Sequence, residues 1–221
     1  LWHISHEGGD IEQLENEHNE EVLYMMVTPP ERAKDTPTYV DITFEKGWPV
    51  KVDGESLSPA TLLQKLNKIA GENGVGVADI VENRIVGMKS RGIYETPGGT
   101  LLMESLMELE TIVFDKDTLN FKKLVSQKYA EIAYNGQWFT PIKYALDAFV
   151  DSIDEVLTGT IKLKLYKGHI KIAGRFTENA LYDEGISSFG SSELYSHKDA
   201  EGFIKLFSLP NKIRAYKKLS K

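Results

Sequence analysis

The stretch from Val81 to Thr100 concentrates groups that could do chemistry. It holds the acids Glu82 and Glu95, the bases Arg84, Lys89 and Arg91, the hydroxyls Ser90, Tyr94, Thr96 and Thr100, and the glycines Gly87, Gly92, Gly98 and Gly99. Acidic acceptors beside hydroxyls suit recognition of a polar small molecule through charge-assisted and neutral hydrogen bonds. They do not suit a phosphate cradle. Neither a glycine-rich run ending in Gly-Lys-Ser/Thr nor Gly-x-Gly-x-x-Gly after a strand is present, and Gly71-Glu72-Asn73-Gly74-Val75-Gly76 reads as a helix stop and a turn. His3, His6, His18, His169 and His197 fall in no metal-binding spacing, and the chain has no cysteine, so neither a protein-bound metal nor a thiolate or disulfide is expected. From the residues alone two readings stand: a ligand-binding segment, or solvated loop charges with Gly98-Gly99 relieving crowding where a helix packs.

Such groups need rigid elements on either side to hold them in place. On the N-terminal side, Ser58-Pro59 gives an N-cap with proline at the first helical position, and Leu62, Leu63, Leu66, Ile69 and Ala70 recur at helical spacing until Gly71. Val75 to Val81 is rich in strand formers. On the C-terminal side, Thr96-Pro97 repeats the cap-plus-proline signal before Leu101, Leu102, Leu106 and Leu109. The span between is therefore expected to be a strand end and a loop.

Elsewhere, Tyr39, Ile42 and Phe44 lie among polar residues, and Lys46-Gly47 turns the chain into Trp48-Pro49-Val50-Lys51-Val52, a predicted hairpin whose proline keeps its strand near an edge. A second hairpin is predicted from 160–166 and 169–176 around Lys167-Gly168. Helices are predicted over about 118–134 and from Thr140-Pro141, packed antiparallel through Asn135-Gly136, and again over 199–207 and 210–219. Residues 10–37 are acidic, then proline-bearing, and read as an extended connection. The fold class is α+β, with β-hairpins and a mixed or antiparallel sheet packed with helices rather than alternating with them.

At 221 residues, 41% hydrophobic and 27% charged, the chain can bury a full core, and no apolar run approaches the ~20 residues of a membrane span. A net charge of −7 with interspersed lysines disfavours nucleic acid. The basic tail Lys212 to Lys218 reads as a helix end complementing its dipole. The start Leu1-Trp2-His3-Ile4-Ser5 has neither Met nor an export signal, so a missing upstream domain is expected, and the absence of cysteine suits a cytoplasmic protein.

The segment Val81–Thr100 closely resembles the argininosuccinate synthase signature V-E-N-R-x-x-G-M-K-S-R-G-x-Y-E-T-P-x-G-T. Similarity continues in His3-Ile4-Ser5-x-Glu7, Gly47-x-Pro49-Val50, Lys128-Tyr129-Ala130-Glu131 and Leu165-x-Lys167-Gly168. The resemblance implies an ATP-dependent carbon–nitrogen ligase that joins citrulline to aspartate through citrullyl-AMP, releasing AMP and pyrophosphate. It implies that Ser5, Glu82 and Tyr94 contact citrulline, with Ser90, Arg91 and Glu95 shaping the segment around them, and that no residue here is a catalytic acid or base. ATP and Mg2+ would be bound mainly by an upstream domain. Residues 1–37 would connect to that domain, 38–205 would form the citrulline-binding synthetase domain, and 206–221 would be a helical arm docking in a homotetramer through Leu206, Phe207, Leu209, Ile213, Tyr216 and Leu219. The alternative is a stand-alone ligand-binding or assembly module without catalysis.

Overall fold

A computed structural model describes residues 1–187 and 196–219. Two compact units are present, Leu1–Leu181 and Tyr182–Lys221. The first opens with strand β1 (Ile4–His6), a 3-10 turn at Gly9–Glu12 and the short helix α1 (Glu20–Leu23). The connection expected over 10–37 is irregular but packed. Ile11, Val27 and Ala33 are buried, and the Thr28 amide donates to the Gly71 carbonyl at 2.9 Å. Gly71 permits this approach, because a side chain there would collide with the Met26 carbonyl.

Strands β2 (Thr38–Glu45) and β3 (Trp48–Val52) form the predicted hairpin. Lys46 and Gly47 both take positive φ, at 49° and 77°, the turn whose twist matches the flanking strands. Pro49 lies beyond the pairing of β3 with the two-residue β4 (Glu55–Ser56), so no ladder bond is asked of its missing N–H on that side. Helix α2 (Pro59–Glu72) begins as predicted, with the Ser58 hydroxyl accepting from the Thr61 amide.

The sequence expectation fails next. Residues 81–96 are not a strand end and a loop: β5 (Val77–Asn83) and β6 (Lys89–Glu95) form a continuous antiparallel hairpin, and β1 pairs with the other edge of β6. The turn is tight, with Gly87 at φ 93° and its amide donating to the Arg84 carbonyl at 2.8 Å. Helix α3 (Pro97–Val113) follows, but the Thr96 hydroxyl does not cap it. The Asn67 side chain on α2 does so instead, its Oδ1 accepting from the Gly98 amide at 2.8 Å.

Helices α4 (Lys116–Tyr134) and α5 (Pro141–Asp154) form the expected antiparallel pair, joined by Tyr129 Oη donating to Asp147 at 2.8 Å and by Phe121 edge-on to Phe149 at 5.2 Å. Strands β7 (Gly159–Tyr166) and β8 (His169–Phe176) complete a five-stranded antiparallel sheet of order β4-β3-β2-β7-β8. Its inner face, including Val40, Ile42, Phe44, Ile161, Leu163 and Leu165, packs with Leu62 and Leu66 of α2 and Leu101 and Leu109 of α3 into one core. The second unit holds α6 (Glu184–Ser187), α7 (His197–Phe207) and α8 (Leu209–Leu219). Residues 220 and 221 of the expected arm lie outside the described residues. Among the described residues no helix is long and apolar enough to cross a membrane.

Asp154 ends α5 against the Gly47 turn, near Glu110, which is buried and paired with Lys122 at 2.5 Å. Burial first, then the Glu110 charge, push the Asp154 carboxyl up to about 6 against the opposing pull of Lys122. A folded-state value above the unfolded one means the fold disfavours the ionised form. Stability is therefore fully retained below the unfolded value near 3.8 and falls as pH rises toward about 6. Asp154→Asn should raise stability by about 1 kcal/mol at about pH 7.5 and by nothing near pH 3.5. Melting curves of the two proteins that differ equally at both pH values would contradict this.

Candidate functional site

The three-stranded sheet has order β1-β6-β5, and cross-strand partners share a face while neighbours along a strand alternate. Ser5 pairs with Tyr94, Tyr94 with Ala78, Gly92 with Ile80, and Ser90 with Glu82. One face therefore carries Ser5, Glu82, Ser90 and Tyr94, residues that stand far apart in the sequence. The opposite face carries His6, Asp79, Arg91 and Glu95.

On the first face Tyr94 Oη donates to Glu82 Oε2 at 2.8 Å. Partial burial, and then this bond to a carboxylate, hold the Tyr94 hydroxyl above the usual phenol value, so it stays protonated and can donate. The Tyr94 ring also lines a cleft of about 730 Å³ with His3, Ala78, Ile80, Glu104 and His169. Ser5 is exposed beside Tyr94 in register. At the hairpin end Arg84 donates to Glu7 Oε2 at 2.6 Å and to Ser90 Oγ at 3.1 Å. That pairing with Glu7 raises the Arg84 guanidinium further and fastens the turn to the chain leaving β1. A carboxylate, a phenol and two serine hydroxyls on one sheet face make a surface for hydrogen-bonding a cationic amine and a neutral amide-like group.

Arg91 and Glu95 lie on the other face and do not meet Glu82 or Tyr94. Arg91 forms a two-point pair with Asp79 at 2.9 and 2.6 Å. This bond lowers the Asp79 carboxyl below the usual range. The same guanidinium donates to the carbonyls of Ile11, Gln13 and Asn16 at 3.3, 3.0 and 3.0 Å. Glu95 is fully buried and accepts from the amides of Met25, Met26 and Val27 at 2.8, 2.7 and 2.7 Å, with His6 Nε2 at 2.8 Å. These two residues bind residues 11–27 to the back of the sheet whose front holds Glu82 and Tyr94. Of the six positions singled out in the sequence, Ser5, Glu82, Tyr94 and Ser90 are thus brought to one surface, and Arg91 and Glu95 support it from behind.

Sequence reasoning missed Glu7 and Arg84 as a pair, because nothing local connects residues 77 positions apart. Only the pairing of β1 with β6 does so. Among the described residues no three His, Asp or Glu side chains converge as a metal cage.

A family model described as the arginosuccinate synthase C-terminal domain matches residues 1–214. The argininosuccinate synthase of Clostridium acetobutylicum is 63% identical over 221 residues, which is all of this chain and 55% of that protein. That of Clostridium botulinum strain Langeland is 65% identical over 217 residues, 98% of this chain and 54% of its own length. The chain spans about half the length of the relatives it matches. With a matching model across nearly every residue, and the signature hairpin folded as a surface of hydrogen-bonding groups, the chain belongs to the argininosuccinate synthase family, as its C-terminal domain.

Proposed function

We propose that this chain supplies part of the citrulline site of an ATP-dependent ligase that forms argininosuccinate. The observation that carries the reading is the 2.8 Å bond from Tyr94 to Glu82 on an open sheet face, with Ser5 in register beside the tyrosine. Citrulline presents an α-ammonium, an α-carboxylate and a neutral ureido group. Glu82 accepts from the ammonium. Tyr94, whose proton is committed to Glu82, offers its lone pairs to a ligand N–H, and Ser5 can donate or accept. These contacts orient the ureido oxygen for attack on the ATP α-phosphorus, which expels pyrophosphate. The aspartate amine then attacks the ureido carbon, and the C–O bond to AMP breaks. Positioning of this kind is the contribution asked of the present residues, with no proton transfer assigned to them.

ATP, its Mg2+, and the aspartate are assigned to the half of the relatives' length lying outside this chain. In support, the relatives are nearly twice as long as this chain, and its sequence holds no glycine-rich phosphate-loop pattern. Residues 206–221 are assigned to subunit docking in a homotetramer, supported by exposed Leu206, Phe207, Ile213 and Leu219 on α7 and α8. The absence of cysteine fits a cytoplasmic setting.

Argininosuccinate formation from citrulline, aspartate and ATP tests the whole reading. Activity should require residues 1–221 joined to their native upstream sequence, and residues 1–221 alone should be inactive. Inactivity of both forms would favour a stand-alone binding or assembly module. In the longer protein, deleting from Pro210 onward should yield smaller species in sedimentation, and an unchanged tetramer would exclude the docking role.

A further inference from the structure

We infer that Gly92 is a positioning residue for substrate recognition: it is the bare strip of sheet across which the Tyr94 ring lies to reach Glu82. The inference rests on the citrulline reading of Glu82 and Tyr94. Tyr94 and Glu82 are not directly opposite each other. Tyr94 pairs with Ala78 and Glu82 with Ser90, with the Gly92–Ile80 pair between them on the same face. The ring must therefore lie down along β6 rather than stand out from it. A Cβ at 92 would meet Tyr94 Cε2, Oη and Cζ at 3.0, 3.1 and 3.2 Å, so all three nearest atoms belong to this one side chain. Contacts of carbon atoms are optimal at about 3.5–4.0 Å, so a side chain at 92 makes the ring give by a few tenths of an ångström. The 2.8 Å hydroxyl contact lies near the middle of the about 2.5–3.0 Å range of such bonds, so moving the ring off this position stretches and bends it.

The same chain contains its own control. An aromatic ring lying over a glycine two residues earlier is also a general way to shield backbone in a sheet. Gly174 and Phe176 on β8 show that arrangement, with a Cβ at 174 meeting Phe176 Cε2 and Cζ at 2.9 and 3.1 Å. Phe176 has no hydroxyl to place, and β8 belongs to the other sheet. If shielding were the purpose of both glycines, alanine at either position would perturb the protein alike. If Gly92 places a hydroxyl, only that site will show an effect specific to one substrate.

The experiment uses the complete enzyme, residues 1–221 with their upstream half, and compares Gly92→Ala, Gly174→Ala, Tyr94→Ala and the double variant Gly92→Ala/Tyr94→Ala. Gly92→Ala should raise the citrulline KM at least tenfold, with the KM values of ATP and aspartate within twofold. Gly174→Ala should change none of them. The double variant should match Tyr94→Ala alone, because the collision is gone once the ring is removed, and it also remains foldable if the single variant is not. A double variant clearly worse than Tyr94→Ala, or a Gly92→Ala enzyme with unchanged citrulline KM while Tyr94→Ala raises it, overturns the role of Gly92. A Tyr94→Ala enzyme with unchanged citrulline KM overturns the underlying site reading instead.

Discussion

Replacing Glu95 by alanine should cost about 3–5 kcal/mol of stability, as much as emptying a large core position. The carboxylate is fully buried, and three consecutive backbone amides, of Met25, Met26 and Val27, donate to it at 2.7–2.8 Å. Hydrogen bonds to a charged acceptor contribute about 1.5–3 kcal/mol each, and removing the acceptor leaves buried donors without a partner. The terms do not add fully, because the Met25 and Met26 bonds are only partly buried and water can reach them after the change. Glutamine is no remedy, since its amide nitrogen would face donors. Hydrogen exchange at the amides of residues 25–27 should accelerate by orders of magnitude in Glu95→Ala, with a lowered melting temperature. A loss below about 1 kcal/mol would refute the anchoring role.

That anchor explains what was legible in the sequence and what was not. The hairpins around Lys46-Gly47 and Lys167-Gly168 were readable because one face of each meets the core, so apolar residues alternate with polar ones along the strand. The β5–β6 hairpin offers no such contrast. Its front face carries Glu82, Ser90 and Tyr94 and its back face Asp79, Arg91 and Glu95, so both faces are polar and the alternation disappears. Local chemistry leaves one usable sign, Gly87 at the tight turn, and it stands among charged residues. Residues 10–37 misled for the opposite reason. Their acids and prolines suggest solvent, yet their backbone is held by side chains of the distant residues 91 and 95. Side-chain pairing with backbone across so long a separation leaves no periodic trace in either partner. Ser5, Glu82 and Tyr94 were recognisable as a group only through the family signature, whereas the physical reason for the grouping is strand register.

The separation of roles across the two faces gives Glu82 a sharply different expected phenotype from Glu95. On the proposed citrulline reading, Glu82→Ala in the complete enzyme should raise the citrulline KM by about 100-fold, equivalent to about 2.7 kcal/mol, because that reading gives the α-ammonium a charged acceptor here and the change also removes the partner that holds the Tyr94 hydroxyl. Folding should be almost untouched, since the side chain is partly exposed and the three amides held by Glu95 are on the reverse side. The KM for ATP should stay within about twofold, as uniform loss of binding at one ligand does not propagate to a ligand held elsewhere. Glu82→Gln separates the two contributions. It keeps an acceptor for Tyr94 but replaces the charge, so a loss intermediate between wild type and alanine assigns the remainder to the hydroxyl. Equal weakening of citrulline and ATP would instead mean that Glu82 maintains the shape of the domain and contacts no substrate. A citrulline-specific loss that persists in Glu82→Gln, where Tyr94 keeps its acceptor, with an unshifted melting curve, assigns that loss to contact between the carboxylate itself and the ligand.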